Sequence, residues 1–275
     1  MAERLPSPLA GRKIVVTRAI PQIVELSREL TDRGADPISL PLVSFAGPED
    51  CRPMDTALQQ LDSFDWTIFT SANAVLAVVQ RTEKLGGRQF HLKRPSQIAA
   101  VGPATAKEAE KRGISVDYVA KNHSGVALAE ELGERVRGKS VLLPRSDRAN
   151  PDLSAALRRN GARVTEVVAY RTLLPSNLDR KEVNRLVGSG IDAIVFFSPS
   201  AVHHFSEIMG REQLPALQRR IVIAAVGPVT AGALQRAGIE RVVQAADTTA
   251  MAVVKSLEAH FAGAAKLSTA GVKRG

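Results

Sequence analysis

Two nine-residue stretches of this 275-residue chain differ at a single position: Ile98-Ala99-Ala100-Val101-Gly102-Pro103-Ala104-Thr105-Ala106 and Ile223-Ala224-Ala225-Val226-Gly227-Pro228-Val229-Thr230-Ala231. Each reads as a short apolar strand, a tight Gly-Pro turn and the start of a helix. They are landmarks of a larger repeat. Gly11, Arg18 and Gly34 recur 127 residues later as Gly138, Arg145 and Gly161, and the run from Asp65 to Val75 recurs as Asp192 to Val202. After a two-residue deletion the shift becomes 125, taking Gly102 to Gly227, Gly113 to Gly238 and Ser124 to Thr249. This is a duplication at domain scale. Each repeat reads as a strand, a helix, a β-rich bridging segment and three further strand–helix units. In the first repeat strands are expected near 14–17, 66–70, 97–101 and 116–119, and the opening helices over about 23–33 and 152–160. Strands alternating with helices predict an α/β chain with two similar parallel-sheet domains, helices covering both sheet faces. The bridging segments Ser39–Phe45 and Thr165–Thr172 leave two topologies open: consecutive domains, or domains that exchange their first strand–helix units.

Composition narrows the classes of function. Hydrophobic residues make up 44% and charged residues 24% of the chain, ordinary for a globular protein. No stretch approaches the roughly 18 consecutive apolar residues that would span a bilayer, and Met1–Leu9 carries no apolar signal core. A lone Cys51 excludes an intramolecular disulfide and a cysteine metal cluster. The net charge of +9 is scattered rather than striped, and aromatics are only 4%, so the excess suits an acidic small molecule better than a nucleic acid. Residues 1–9 and 263–275 are expected to be loosely held tails.

The candidate site residues cluster at the predicted junctions of strand and helix. Ser71 and Ala72 open one helix; Ser198 and Ser200 open its counterpart. Gly102 with Thr105, and Gly227 with Val229 and Thr230, do the same after the Gly-Pro turns. A hydroxyl there can cap its helix, worth roughly 1 kcal/mol, and the same groups can face a ligand at the carboxyl ends of parallel strands. Arg18 and Arg145, and less strongly Arg171, follow strand ends and have the planar fork that fits a carboxylate. His203-His204 does not read as a metal pair, since neighbours on a helix point about 100° apart and no spaced partner accompanies them. A phosphate-binding Gly-rich loop and a nucleophile elbow are both missing.

Taken in order, Val16-Thr17-Arg18, Phe69 to Val75, Val101 to Ala106, Leu143-Pro144-Arg145, Tyr170-Arg171-Thr172, Phe197 to Val202 and Val226 to Ala231 resemble the uroporphyrinogen-III synthase family over about residues 11–260. The resemblance implies the exchanged topology. Residues 1–38 with 176–265 would form one domain and 46–164 the other, joined by paired β linkers at 39–45 and 165–175, with a substrate cleft between them and a flexible tail over 266–275. It implies a cyclising lyase that takes hydroxymethylbilane, a linear tetrapyrrole, to uroporphyrinogen III with loss of water and inversion of the last ring. It also implies no metal and no organic cofactor. The preceding pathway enzyme becomes a candidate partner, and a cytoplasmic monomer the expected form. Tyr170 matches the family's functional tyrosine and is the candidate acid; Arg18, Ser71, Ala72, Gly102, Thr105, Arg145, Ser198, Ser200, Gly227, Val229 and Thr230 are the candidate substrate contacts. Val229 departs from the family-like Gly-Pro-Thr-Thr, removing a side-chain contact and leaving backbone donors. A non-catalytic two-domain clamp for an acidic small molecule is the alternative.

Overall fold

The computed structural model describes residues 7–18, 20–86, 96–122, 124–210 and 212–272. The chain begins with β1 (Lys13–Val16), α1 (Ile20–Thr31) and β2 (Asp36–Ser39). It continues through β3 (Ser44–Ala46), α2 (Arg52–Gln59), β4 (Trp66–Phe69), α3 (Ala72–Lys84), β5 (Gln97–Ala100), α4 (Pro103–Lys111), β6 (Tyr118–Val119), α5 (Gly125–Leu132), β7 (Ser140–Ser146), α6 (Asp152–Arg159) and β8 (Arg163–Leu173). The last third holds α7 (Arg180–Gly188), β9 (Ala193–Phe196), α8 (Pro199–Met209), α9 (Leu214–Leu217), β10 (Val222–Ala225), α10 (Pro228–Arg236), β11 (Val242–Gln244) and α11 (Ala250–Val272). Contacts divide the chain into two units, residues 1–44 with 173–275 and residues 45–172.

The first unit carries a five-stranded sheet in the order β11-β10-β9-β1-β2, parallel throughout. The second carries six strands in the order β3-β8-β7-β4-β5-β6, with β8 to β6 parallel. Both faces of each sheet are buried. Ile14, Val16, Ala193 and Val195 enter one core of the first unit, while Val15, Ile194 and Phe196 enter the other. Ile98 and Phe69 likewise oppose Ala99 and Ile68 in the second unit. Strands buried on both sides read as continuous apolar runs, which is why the sequence shows Ile14–Val16 and Ala193–Phe196 without polar alternation.

Strand order decides between the two topologies the residues leave open. β1 lies between β2 and β9, so the opening strand–helix unit completes the sheet of the chain's last third. In the second unit β7, the corresponding strand of the second repeat, lies between β8 and β4. An aspartate marks each exchange. Asp65, just before β4, accepts from the Ser140 N–H at 2.8 Å and Oγ at 2.9 Å; Asp192, just before β9, accepts from the Lys13 N–H at 2.9 Å and from Arg12 at 2.6 Å. Both aspartate backbones repeat the pattern, Asp65 N–H donating to Ser140 O and Asp192 N–H to Lys13 O, each at 2.9 Å. Each repeat's carboxylate therefore fixes the first strand of the other repeat.

The two linkers lie side by side as β3 and β8, and β8 also pairs with β7 from Ser140↔Arg163 to Ser146↔Tyr170, burying Val167 and Ala169, so the second linker is a strand of the second unit's sheet. Two expectations change. Leu9, expected in a loose tail, is fully buried in the first unit's core, and α11 stays helical to Val272 through alanine, lysine and leucine, which are strong helix formers.

The Asp65 clamp has a measurable signature. Hydrogen bonds from the Ser140 N–H and hydroxyl, outweighing desolvation, hold its carboxyl at about 2 instead of 3.8. A depressed folded pKa contributes stability that is present above about pH 4 and lost as pH falls toward 2. Asp65→Asn is therefore expected to lower Tm at pH 6, and the gap from wild type should narrow as pH falls from about 4. A gap independent of pH over that range would contradict the clamp.

Candidate active site

In the second unit three neighbouring strand ends converge on Tyr170. β4 runs into Ser71, the N-cap of α3, whose hydroxyl accepts from the Ala74 N–H at 3.2 Å. The Tyr170 hydroxyl lies 3.1 Å from Ser71 Oγ, in a hydrogen bond that either group can donate. The phenol ring is half-buried and meets Phe45 edge-on at 5.6 Å between centroids. Burial, partly opposed by the bond to Ser71, pushes the Tyr170 phenol above its ordinary value. It is a neutral O–H at physiological pH, suited to donating a hydrogen bond rather than to ionising.

A β-bulge aims this side chain. The β7–β8 register runs Arg145↔Val168 and then Ser146↔Tyr170, so Ala169 is the extra residue on β8. Val167, Ala169 and Tyr170 consequently pack against the core that α3 covers, where regular alternation would turn Tyr170 to the face of Glu166 and Val168. At the same strand ends, Ser146 Oγ lies 3.0 Å from Thr172 Oγ1 and donates to Asp147 Oδ1 at 3.0 Å. Ser146, Asp147, Thr172 and Phe45 were not among the sequence candidates. A serine-aspartate pair at the end of a predicted strand is a signal, but a common one, and the bulge leaves no trace in the sequence.

The structure distributes the remaining candidates unevenly. Ser198 caps α8, accepting from the Ala201 N–H at 3.2 Å, and so reproduces Ser71 in the first unit. Ala72 and Ser200 occupy the first turns of α3 and α8. Arg18 follows β1 with its guanidinium 5.4 Å from the centre of the Phe197 ring. Gly102 and Gly227 are the caps of α4 and α10, and their backbones differ. Gly102 is extended, whereas Gly227 has φ +93°, a conformation in which a side chain is strained. Val229, in the first turn of α10, is largely exposed.

Thr105 and Thr230 need correction as capping hydroxyls. Gly102 and Gly227 hold the cap positions, no side-chain cap is formed, and both threonines are buried in the first turns of their helices. The Gly-Pro turn places the proline first in the helix, so the threonine stands three residues past the cap. Arg145 has partners within the chain. Only 6% exposed, it donates to Glu166 Oε2 at 2.6 Å and to the Asn150 carbonyl, and Arg158 bonds the other oxygen of Glu166. The fork meets a carboxylate, but one of the chain's own. Arg171, half-buried, bonds the Gly47 carbonyl and Glu49.

The paired histidines have separate roles. His204 is buried with Nδ1 2.7 Å from the Leu42 carbonyl oxygen, and the exposed His203 faces Glu207 at 3.1 Å. Among the described residues no group of three His, Cys, Asp or Glu side chains could hold a metal, and no helix is long and apolar enough to cross a membrane.

The family model described as uroporphyrinogen-III synthase HemD matches residues 24–255. The chain belongs to the uroporphyrinogen-III synthase family. It is 33% identical over 235 residues to the uroporphyrinogen-III synthase of Synechococcus elongatus, across 84% of this chain and 87% of that one. A crystal structure of a mutant uroporphyrinogen III synthase from Thermus thermophilus matches with a TM-score of 0.67 at 19% identity, over 93% of this chain and 99% of that one. The Helicobacter pylori uroporphyrinogen-III synthetase matches with a TM-score of 0.58 at 21% identity, over 89% and 97%. At these identities the two structures show that the α/β fold is shared. Within the uroporphyrinogen-III synthase frame, Ser71 and Tyr170 are the sequence candidates that hydrogen-bond one another directly.

Removing Arg145 tests its inward role. Arg145→Ala takes from Glu166 its buried cationic partner, leaving the exposed Arg158 and the Ser154 hydroxyl, and opens a gap, so a loss of about 1–3 kcal/mol is expected in urea unfolding. The folded variant should keep a near-wild-type KM. A tenfold rise in KM with unchanged stability would return Arg145 to the substrate.

Proposed function

We propose that the chain is a cyclising hydro-lyase that converts hydroxymethylbilane to uroporphyrinogen III, with Tyr170 hydrogen-bonding the hydroxyl that departs. Membership of the uroporphyrinogen-III synthase family supports an enzyme of tetrapyrrole biosynthesis over a plain binding clamp. The observation that carries the residue assignment is the Tyr170 hydroxyl, neutral and held 3.1 Å from Ser71 Oγ among the strand ends.

The chemistry asks little of the protein beyond placement. The C–O bond of the hydroxymethyl group breaks with the push of the first pyrrole nitrogen, and the oxygen leaves as water after accepting a proton. The azafulvene cation that remains is attacked by the substituted carbon of the last ring, giving a spiro intermediate. The bond from the spiro carbon to the original bridging carbon breaks, that bridging carbon bonds the last ring's free α-carbon so that the ring is inverted, and loss of the proton on that α-carbon restores aromaticity. A hydrogen-bond donor on the leaving oxygen lowers the first barrier, and water supplies the proton that the oxygen carries away. The uninverted product also forms without catalysis, so selectivity rests on how the chain ends are held.

The remaining groups supply that hold. In each unit the first turns of two helices, α3 and α4 in the second and α8 and α10 in the first, present backbone N–H donors and positive dipole ends, which suit acetate and propionate groups. The net charge of +9 favours approach of a polyanion. Val229 offers its backbone in place of a hydroxyl, and Arg18, which follows β1 in the first unit, remains a candidate contact for a substrate carboxylate.

Tyr170→Phe tests the assignment with the ring and its Phe45 contact retained. The turnover of hydroxymethylbilane is expected to fall by about 10–100-fold, with KM within about threefold and Tm within a few degrees of wild type. Wild-type turnover in this variant would remove the hydroxyl from the mechanism.

A further inference from the structure

We propose that Asp147 is a positioning residue for Tyr170, locking the β8 bulge that turns the phenol toward Ser71. The proposal rests on the reading of Tyr170 as the donor but stands on geometry of its own. Asp147 follows β7, and its N–H donates to the Tyr170 carbonyl at 3.1 Å. Its Oδ1 accepts from the Thr172 N–H at 3.0 Å and from Ser146 Oγ at 3.0 Å. One residue therefore grips β8 on both sides of Arg171, through the carbonyl of Tyr170 and the amide of Thr172. Ser146 closes the loop, since its own hydroxyl lies 3.0 Å from Thr172 Oγ1 and it pairs in register with Tyr170.

The bulge requires such a grip. Where Ala169 falls out of register, the ladder bonds that fix an ordinary strand are interrupted, and beyond Ser146 no further β7 residue pairs with β8. The carboxylate supplies the missing acceptor. Without it, β8 can relax toward ordinary alternation, which would swing Tyr170 away from α3 and out of reach of Ser71. Asp147 is exposed, so its side chain carries little packing and its substitution removes bonds rather than core.

The chain contains only two tyrosines, which makes the effect directly visible. Tyr118 bonds Glu131 at 2.8 Å in another part of the second unit, so Tyr118→Phe leaves Tyr170 as the sole tyrosine. In that background the ring-labelled tyrosine gives one NMR signal, whose position at neutral pH reports the environment beside Phe45 and Ser71. Asp147→Ala is expected to move this signal toward that of an exposed tyrosine and to lower kcat by about tenfold, with KM within about threefold. Asp147→Asn keeps an acceptor oxygen and should restore both signal and kcat to within about threefold of the parent. Restoration by asparagine separates the geometry of the grip from the charge of the carboxylate. An Asp147→Ala variant whose Tyr170 signal is unmoved overturns the proposal, whether or not kcat falls. A signal that moves with kcat unchanged upholds the positioning role and instead overturns Tyr170 as the donor.

Discussion

Each half of this molecule depends on a strand that the other repeat supplies. β1 of the first repeat pairs with β9 of the second, and β7 of the second pairs with β4 of the first. Asp192 and Asp65 fix these pairings at the strand starts, each accepting the first N–H of the incoming strand. An unpaired N–H near the ends of buried strands is costly, and a carboxylate is the strongest acceptor a side chain offers. The consequence is a shared dependence. β1 sits between β9 and β2, so a chain lacking the opening strand–helix unit would leave an exposed edge on β9 and uncover the apolar residues of both cores of the first unit.

The same arrangement sets where chemistry can occur. Parallel pairing brings the carboxyl ends of β4, β7 and β8 to one edge of the second sheet, and those of β1, β9 and β10 to one edge of the first. Helix N-termini follow at these edges, capped by Ser71, Ser198 and the two glycines. A duplicated scaffold thus presents duplicated anion-favouring helix ends, while the proposed donor is single. Tyr170 has no tyrosine counterpart in the other repeat, and it owes its direction to a bulge that the regular strands lack. Asymmetry grafted onto a symmetric frame is what a reaction distinguishing the two ends of a linear substrate requires.

Much of this was legible in the residues because duplication repeats every signal. The strand runs, the Ser71 and Ser198 starts and Tyr170 at the end of a β-rich segment all follow from local pattern. Three features did not. Arg145 looked like a substrate arginine because its partner Glu166 lies 21 residues away, and a fork that fits a carboxylate gives no sign of whose carboxylate it meets. Thr105 and Thr230 looked like caps because the Gly-Pro turn was read as ending later than it does, which hid their burial. The grip of Asp147 on β8 depends on one residue of register, and a shift of that size is invisible to period-2 patterning while it reverses the face of every residue beyond it.

If this scaffold closes hydroxymethylbilane with ring inversion, the product isomer shows it. Freshly generated hydroxymethylbilane would be incubated with catalytic amounts of the wild-type chain, and the porphyrinogens oxidised and separated by chromatography. The inverted isomer, uroporphyrinogen III, is expected, formed well above the spontaneous rate. Only the uninverted isomer, appearing at the rate seen without protein, would contradict it.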